Sequence, residues 1–318
     1  MKRWVLLATL SLALAACDVF APVEPTPKPQ SRPPGLDTAT TAPKPRATSQ
    51  ASAEIRAYLT QVQSAQLTQG LLRRDGGGPD TPFTSDVLSR NFERIAFFNE
   101  YTGTLSSGVA GALRRWDVPV RMEVIFGASI PPSQRRTDKQ DVTQFASRLS
   151  RVTQHPISVN SSGGPSSNFL VLFVSEDDRS EEIDKLSVRF PNLTPAALAP
   201  LKNLTRETYC AVIAFGQLEN PASYGAAVAV IRAENPDLLR LSCIHEELSQ
   251  GLGLANDSPQ ARPSIFNDDD EFALLTNHDE FLLRMLYDNR FETGMSLEAA
   301  RPIIREISIE LTEPDGPA

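Results

Sequence analysis

From about residue 51 the spacing of apolar positions reads as secondary structure. Ile55, Leu59, Val62, Leu67 and Leu71 recur at helical intervals and predict an amphipathic helix, which Asp75-Gly-Gly-Gly-Pro-Asp80 breaks. A second helical stripe (Val87, Leu88, Phe92, Ile95 and Phe98) runs from Asp86 to about Tyr101. The period then changes. Val120 to Phe126 reads as a strand, Asp138 to Val152 as a helix, and Phe169 to Val174 as a buried strand. Tyr209 to Phe215 and Ala226 to Ile231 are further apolar β-type runs. Pro236 suits the first turn of a helix and opens one that reaches about Leu252. No internal repeat appears, and the region from about 85 to 305 has the length of one α+β domain.

The first 50 residues carry no such pattern. Lys2 and Arg3 precede an apolar run from Trp4 to Ala16. That run falls short of the roughly 20 residues needed to span a bilayer, so it reads as a signal sequence covering 1–16. It closes on Leu14-Ala15-Ala16-Cys17, which resembles a bacterial lipobox. The lipobox reading makes Cys17 a lipidated first residue; the alternative is a simple signal with a chance cysteine. Several acyl chains would anchor the protein stably. Residues 18–50 hold eight prolines among Thr, Ala, Ser and Lys. They read as a tether that cannot bury enough surface to fold. The expected organisation is a signal sequence at 1–16, lipidated Cys17 and tether at 17–50, and an N-terminal helix with Gly-rich linker at 51–84. The main domain follows at 85–311, with a tail at 312–318. The expected location is the cell envelope, on the periplasmic face of the inner or outer membrane. Asp18 resembles an inner-membrane retention signal, a rule that varies among lineages.

Charge narrows the partners. Removing the two basic residues of 1–16 from 31 basic and 39 acidic side chains leaves a net charge of −10. There is no basic block, which argues against nucleic acid. Beyond Cys17 two cysteines remain, Cys210 and Cys243. In an exported chain they read as a disulfide, with two buried thiols as the alternative.

The chemistry concentrates in Cys243-Ile-His-Glu-Glu-Leu-Ser-Gln-Gly-Leu-Gly-Leu-Ala-Asn-Asp257. A metalloprotease helix reads H-E-x-x-H-x-x-G-x-x-H. With Glu246 as the first ligand position, Glu247 takes the place of the general base, and Gln250 and Asn256 take the other ligand places. Gly253 falls where that pattern needs a turn. A plain reading is also open: Glu246 and Gln250 form an ordinary i,i+4 pair, and glycine simply ends the helix.

Downstream segments favour the metalloprotease reading. Ser264-Ile265-Phe266-Asn267-Asp268 resembles the Met-turn of metzincins, with Phe266 in place of the methionine that floors the metal site. Leu275 to Asp279 and Leu286-Tyr287-Asp288 are similar to the L-x-x-x-D…L-Y-G helix of matrix metalloproteases. Arg115-Trp116-Asp117-Val118-Pro119-Val120 resembles the entry to their first strand. Over most of 85–305 the chain is also similar to an uncharacterised bacterial family, a domain of unknown function. Its members carry C-x-x-E-E-x-x-Q-x-x-G-L-x-N-D and then S-I-F-N-D.

The resemblance implies a zincin-like α+β domain: a mixed sheet of about five strands, a site helix and a C-terminal helical part. It places Glu246, Gln250 and Asn256 around one cavity, Phe266 beneath it and Glu247 at its rim. One carboxylate and two amides suit zinc poorly, and they predict at most weak binding of calcium or magnesium. Asp257, Asp268, Asp269 and Asp270 could add charge. His155 and His278 read as surface residues that rescue no ligand position. The expected function is a degenerate, non-zinc site that binds an envelope peptide or partner protein. The alternative is an active atypical metallohydrolase or peptidase with Glu247 as general base.

Overall fold

The computed structural model describes residues 44–98, 110–160, 166–189, 193–267 and 269–313. The expected signal sequence, Cys17, most of the tether, Asp268 and residues 314–318 lie outside them. Residues from 45 onward form one compact unit. No helix among the described residues is long and apolar enough to cross a membrane.

The described residues form a mixed α/β domain of eight helices and a five-stranded sheet. Two helices, α1 (Gln50–Thr68) and α2 (Ser85–Phe97), precede β1 (Val120–Phe126). Helix α3 (Pro132–Thr153) leads to β2 (Ile157–Val159), then β3 (Phe169–Val174), α4 (Glu176–Arg189) and α5 (Pro195–Lys202). β4 (Cys210–Gly216) and β5 (Tyr224–Arg232) form a hairpin, followed by α6 (Asp237–Gln250), α7 (Asn277–Leu286) and α8 (Leu297–Thr312). The strand order is β2-β1-β3-β5-β4. Every pairing is parallel except β4 with β5, so β4 is an antiparallel edge.

The sheet is covered on both faces. Successive side chains of a strand point to opposite sides, so β3 feeds two cores. Phe169, Val171 and Phe173 join the main core with Phe145, Leu149, Ile244 and Leu248. Leu170, Leu172 and Val174 join a second core with Leu186, Leu198 and Leu201. Double coverage explains why β3 is a continuous apolar run, buried at all six positions.

Two expectations change here. The apolar stripe of α1 contributes only Leu59 to the fully buried set, and Leu67 is exposed. Val62 packs against the small cluster of Leu72, Leu239 and Ala273, and polar contacts add to it: Ser52 Oγ donates to Glu234 at 2.6 Å, Gln66 Nε2 to Asp270 at 2.6 Å, and Gln63 accepts from the Leu239 amide at 3.0 Å. The Gly-rich stretch expected as a linker packs onto the domain. Leu72 and Arg73 donate backbone bonds to Asp270 and Glu271, and the Arg73 guanidinium binds Asp75, Asp80 and Glu271.

Candidate functional site

Helix α6 is fixed to the edge strand by a covalent bond. Cys210 at the start of β4 and Cys243 in α6 form a disulfide, with Cα atoms 5.9 Å apart. This settles the choice between bridge and free thiols. One turn on, the carboxylate oxygens of Glu246 and Glu247 and the Cys210 sulfur all lie within 4.8 Å of one another. Glu246 is half-buried. Glu247 is buried, rather than sitting at a rim.

The other two ligand-equivalent residues meet at Asp257. Gln250 Nε2 donates to Asp257 Oδ1 at 3.5 Å, and Asn256 Nδ2 donates to the Asp257 carbonyl at 2.8 Å and to that of Arg94 at 3.2 Å. The structure thus draws Gln250 and Asn256 onto Asp257, and Glu246 and Glu247 onto the disulfide. The turn between them depends on Gly253, whose φ is +129°. A Cβ there would also lie 2.4 Å from the Arg114 carbonyl oxygen, so glycine is required twice over. Phe266 is fully buried in the main core with Ile244, Leu248 and Leu252. Its turn is held by Asp279 of α7, which accepts from Ser264 Oγ at 2.5 Å and from the Ile265 amide at 3.1 Å.

The histidines are structural. His245 stacks on Phe145 with ring centroids 3.9 Å apart, and its Nδ1 accepts from the Leu275 amide at 3.0 Å. Burial lowers its pKa to about 3, so it stays neutral. His278, expected at the surface, is fully buried and bonds Asn91 at 3.0 Å. His155, also expected there, is half-buried and bonds the Val118 carbonyl at 2.9 Å, and burial lowers its pKa. Both rings serve packing against aromatic neighbours, Phe83 for His278 and Tyr287 for His155.

A cleft of about 540 Å³ opens along β4. Its floor is the strand itself, from Ala211 to Ala214. One wall is α5 and the loop after it, with Pro200, Leu201, Leu204 and Thr205; the other carries Arg114, Tyr224, Gln250 and Ala255. The pairing shows which backbone groups face it. Arg232 donates to the Tyr209 carbonyl, while Ala227 and Ala233 donate toward β3. Hydrogen-bonded pairs alternate along an antiparallel ladder, so Ala211 and Ile213 bond β5 and Val212 and Ala214 turn their N–H and C=O groups outward.

Sequence reasoning missed the residues that shape the first wall. Arg232, almost fully buried, donates to the carbonyls of Leu204, Thr205 and Thr208 at 2.8–3.1 Å and to Glu176 at 2.6 Å. Glu176 also binds both terminal nitrogens of Arg179. A buried guanidinium that is paired with a carboxylate and bonded through all three nitrogens is a rigid post for a loop. The available signal was an arginine ending the apolar run of β5.

The donor set does not suit zinc. Zinc favours imidazole and thiolate. His245 is committed to the core, and the Cys210 sulfur is bonded to Cys243. Fold and site together define a mixed α/β domain with a disulfide-pinned site helix beside an open edge strand. Residues 85–306 match the family described as protein of unknown function (DUF2927), and the chain belongs to that family. No curated protein and no solved structure matches it.

Proposed function

We propose that this protein is a lipid-anchored cell-envelope protein whose zincin-like site has lost its zinc chemistry, and whose cleft holds an extended segment of a peptide or partner protein as an added strand. The observation that carries this reading is the edge of β4, which offers the outward N–H and C=O groups of Val212 and Ala214 within a walled cleft. The Leu-Ala-Ala-Cys17 string and the Pro-rich stretch after it support the anchor. The ligand chemistry of Glu246, Gln250 and Asn256 supports the loss of zinc.

The test is selection of displayed random heptapeptides on the full chain and on Val212→Pro. Proline at 212 removes a donor that faces the cleft and leaves the β5 ladder intact, a placement edge strands tolerate. Enriched peptides should alternate in polarity and bind Val212→Pro about two- to tenfold more weakly. Equal binding by a folded Val212→Pro variant would exclude strand addition. Stoichiometric zinc in protein purified without added metal would overturn the degenerate-site reading.

A second reading rests on the closeness of the Glu246 and Glu247 carboxylates beside the disulfide of α6. It makes the protein a hydrolase with Glu247 as base. Peptidase activity abolished by Glu247→Gln would put it first.

A further inference from the structure

The cleft is asymmetric in a way that specifies its occupant. A strand laid on β4 directs alternate side chains to the two faces of the sheet. Residues opposite Ala211 and Ile213 face the α5 wall, whose apolar part is Pro200, Leu201 and Leu204 and whose polar part is Asn203, Thr205 and Thr208. Residues opposite Val212 and Ala214 face the wall of Gln250, Tyr224 and Arg114. Arg114 is the one charged residue lining the cleft among those described.

Arg114 is presented rather than merely exposed. Its backbone rests against Gly253, where no other residue fits. Leu113 before it exchanges backbone bonds with Met295 and Gly294, both at 2.9 Å. Arg115 after it donates to the carbonyls of Leu286, Asp288 and Phe291 at 2.7–3.0 Å. Trp116 donates to the Gly251 carbonyl at 2.8 Å. With both neighbours fixed, the Arg114 side chain leaves from a set point on the cleft wall. It is solvent-exposed and has no ion-pair partner among the described residues.

The geometry points to an extended peptide with apolar side chains at one parity and a carboxylate at the other, the carboxylate meeting Arg114. The four floor residues at ~3.4 Å each match about four residues of such a strand. This inference rests on the strand-addition reading and adds the acidic specificity. The carboxylate is that of an Asp or Glu side chain; a chain terminus is the alternative that the test separates.

The experiment repeats the heptapeptide selection on the full chain and on Arg114→Glu. The native protein should enrich alternating apolar and acidic positions, and Arg114→Glu should replace the acidic positions by Lys or Arg. An amidated selected peptide, titrated by fluorescence polarisation, should lose about two- to fivefold in affinity on Asp→Asn, the range of an exposed ion pair. That loss should vanish in Arg114→Gln. If the Asn peptide regains the affinity only as a free acid, the terminal carboxylate is the ligand; if amidation is without effect, the side chain is. Alternating apolar peptides with no acidic preference would overturn the role of Arg114 and leave strand addition standing. No alternating sequence at all would overturn both.

Discussion

Breaking the Cys210–Cys243 bridge should weaken this domain far more than removing two buried sulfurs would. The bond closes a loop with a sequence separation of 33 residues. In the chain-entropy description, a loop of that length restrains the unfolded chain by about 4 kcal/mol at 25 °C. The cysteines join the edge strand to the site helix, so nothing else covalent holds those two elements in register. The perturbation is the double variant Cys210→Ala/Cys243→Ala, with the reduced native protein as its control. The assay is urea unfolding followed by far-UV circular dichroism. The midpoint should fall by the equivalent of about 4 kcal/mol, and the slope should rise because the uncrosslinked unfolded chain exposes more surface. At ~2–4 °C per kcal/mol the melting temperature should drop by about 8–16 °C. Hydrogen exchange at the Ala211 and Ile213 amides, which bond β5, separates two causes. Unchanged local protection with a lower global stability fits a purely unfolded-state effect. A stability within about 1 kcal/mol of the native protein would refute the reasoning.

Three further outcomes follow from the same physics. His245 has a folded pKa lowered to about 3, so below about pH 6.5 the unfolded state takes up a proton that the folded state refuses. Stability therefore falls as pH drops through that window, by about 2 kcal/mol at pH 5 from this group, and His245→Gln should flatten that part of the pH-stability curve measured by urea titration. Arg232→Met removes one of the two guanidinium partners of Glu176 and a shared donor to the Leu204, Thr205 and Thr208 carbonyls; it should cost about 3 kcal/mol in chemical unfolding and weaken peptide binding by loosening the cleft wall. Cys17→Ser should move the protein from the detergent phase to the aqueous phase on partitioning, and unchanged partitioning would end the lipoprotein reading.

The strands were legible where burial was complete. Val120–Phe126 and Phe169–Val174 stand where the apolar runs predict them, and β4 and β5 lie within two residues of theirs. Helix α6 starts after Pro236 as expected and ends two residues early, at Gln250. β2 has only three residues and no pattern to detect. Helix α4 opens on Glu176, Asp177 and Asp178 and was not read, because its acidic first turn hides a one-sided apolar stripe. At the site, the i,i+4 spacing of Glu246 and Gln250 was visible. The convergence of Arg114, Leu204 and Ala214 on one cleft was not, since these residues come from three separate parts of the chain. The burial of His278 was likewise hidden, because its partner Asn91 is 187 residues away.

The walls of the cleft bear on what kind of molecule can enter it. An open edge strand on a flat surface would pair with the edge of any other sheet, including a second copy of itself. Here α5 with its loop rises on one side, and the Arg114 and Gln250 segment on the other. A strand already paired within a folded domain brings neighbours on its flank and helices on its faces, and these collide with both walls. A bare chain brings neither. Under the proposed strand-addition reading, a slot of this shape selects by the folding state of its partner: linkers, tails and unfolded termini would enter it and finished domains would not.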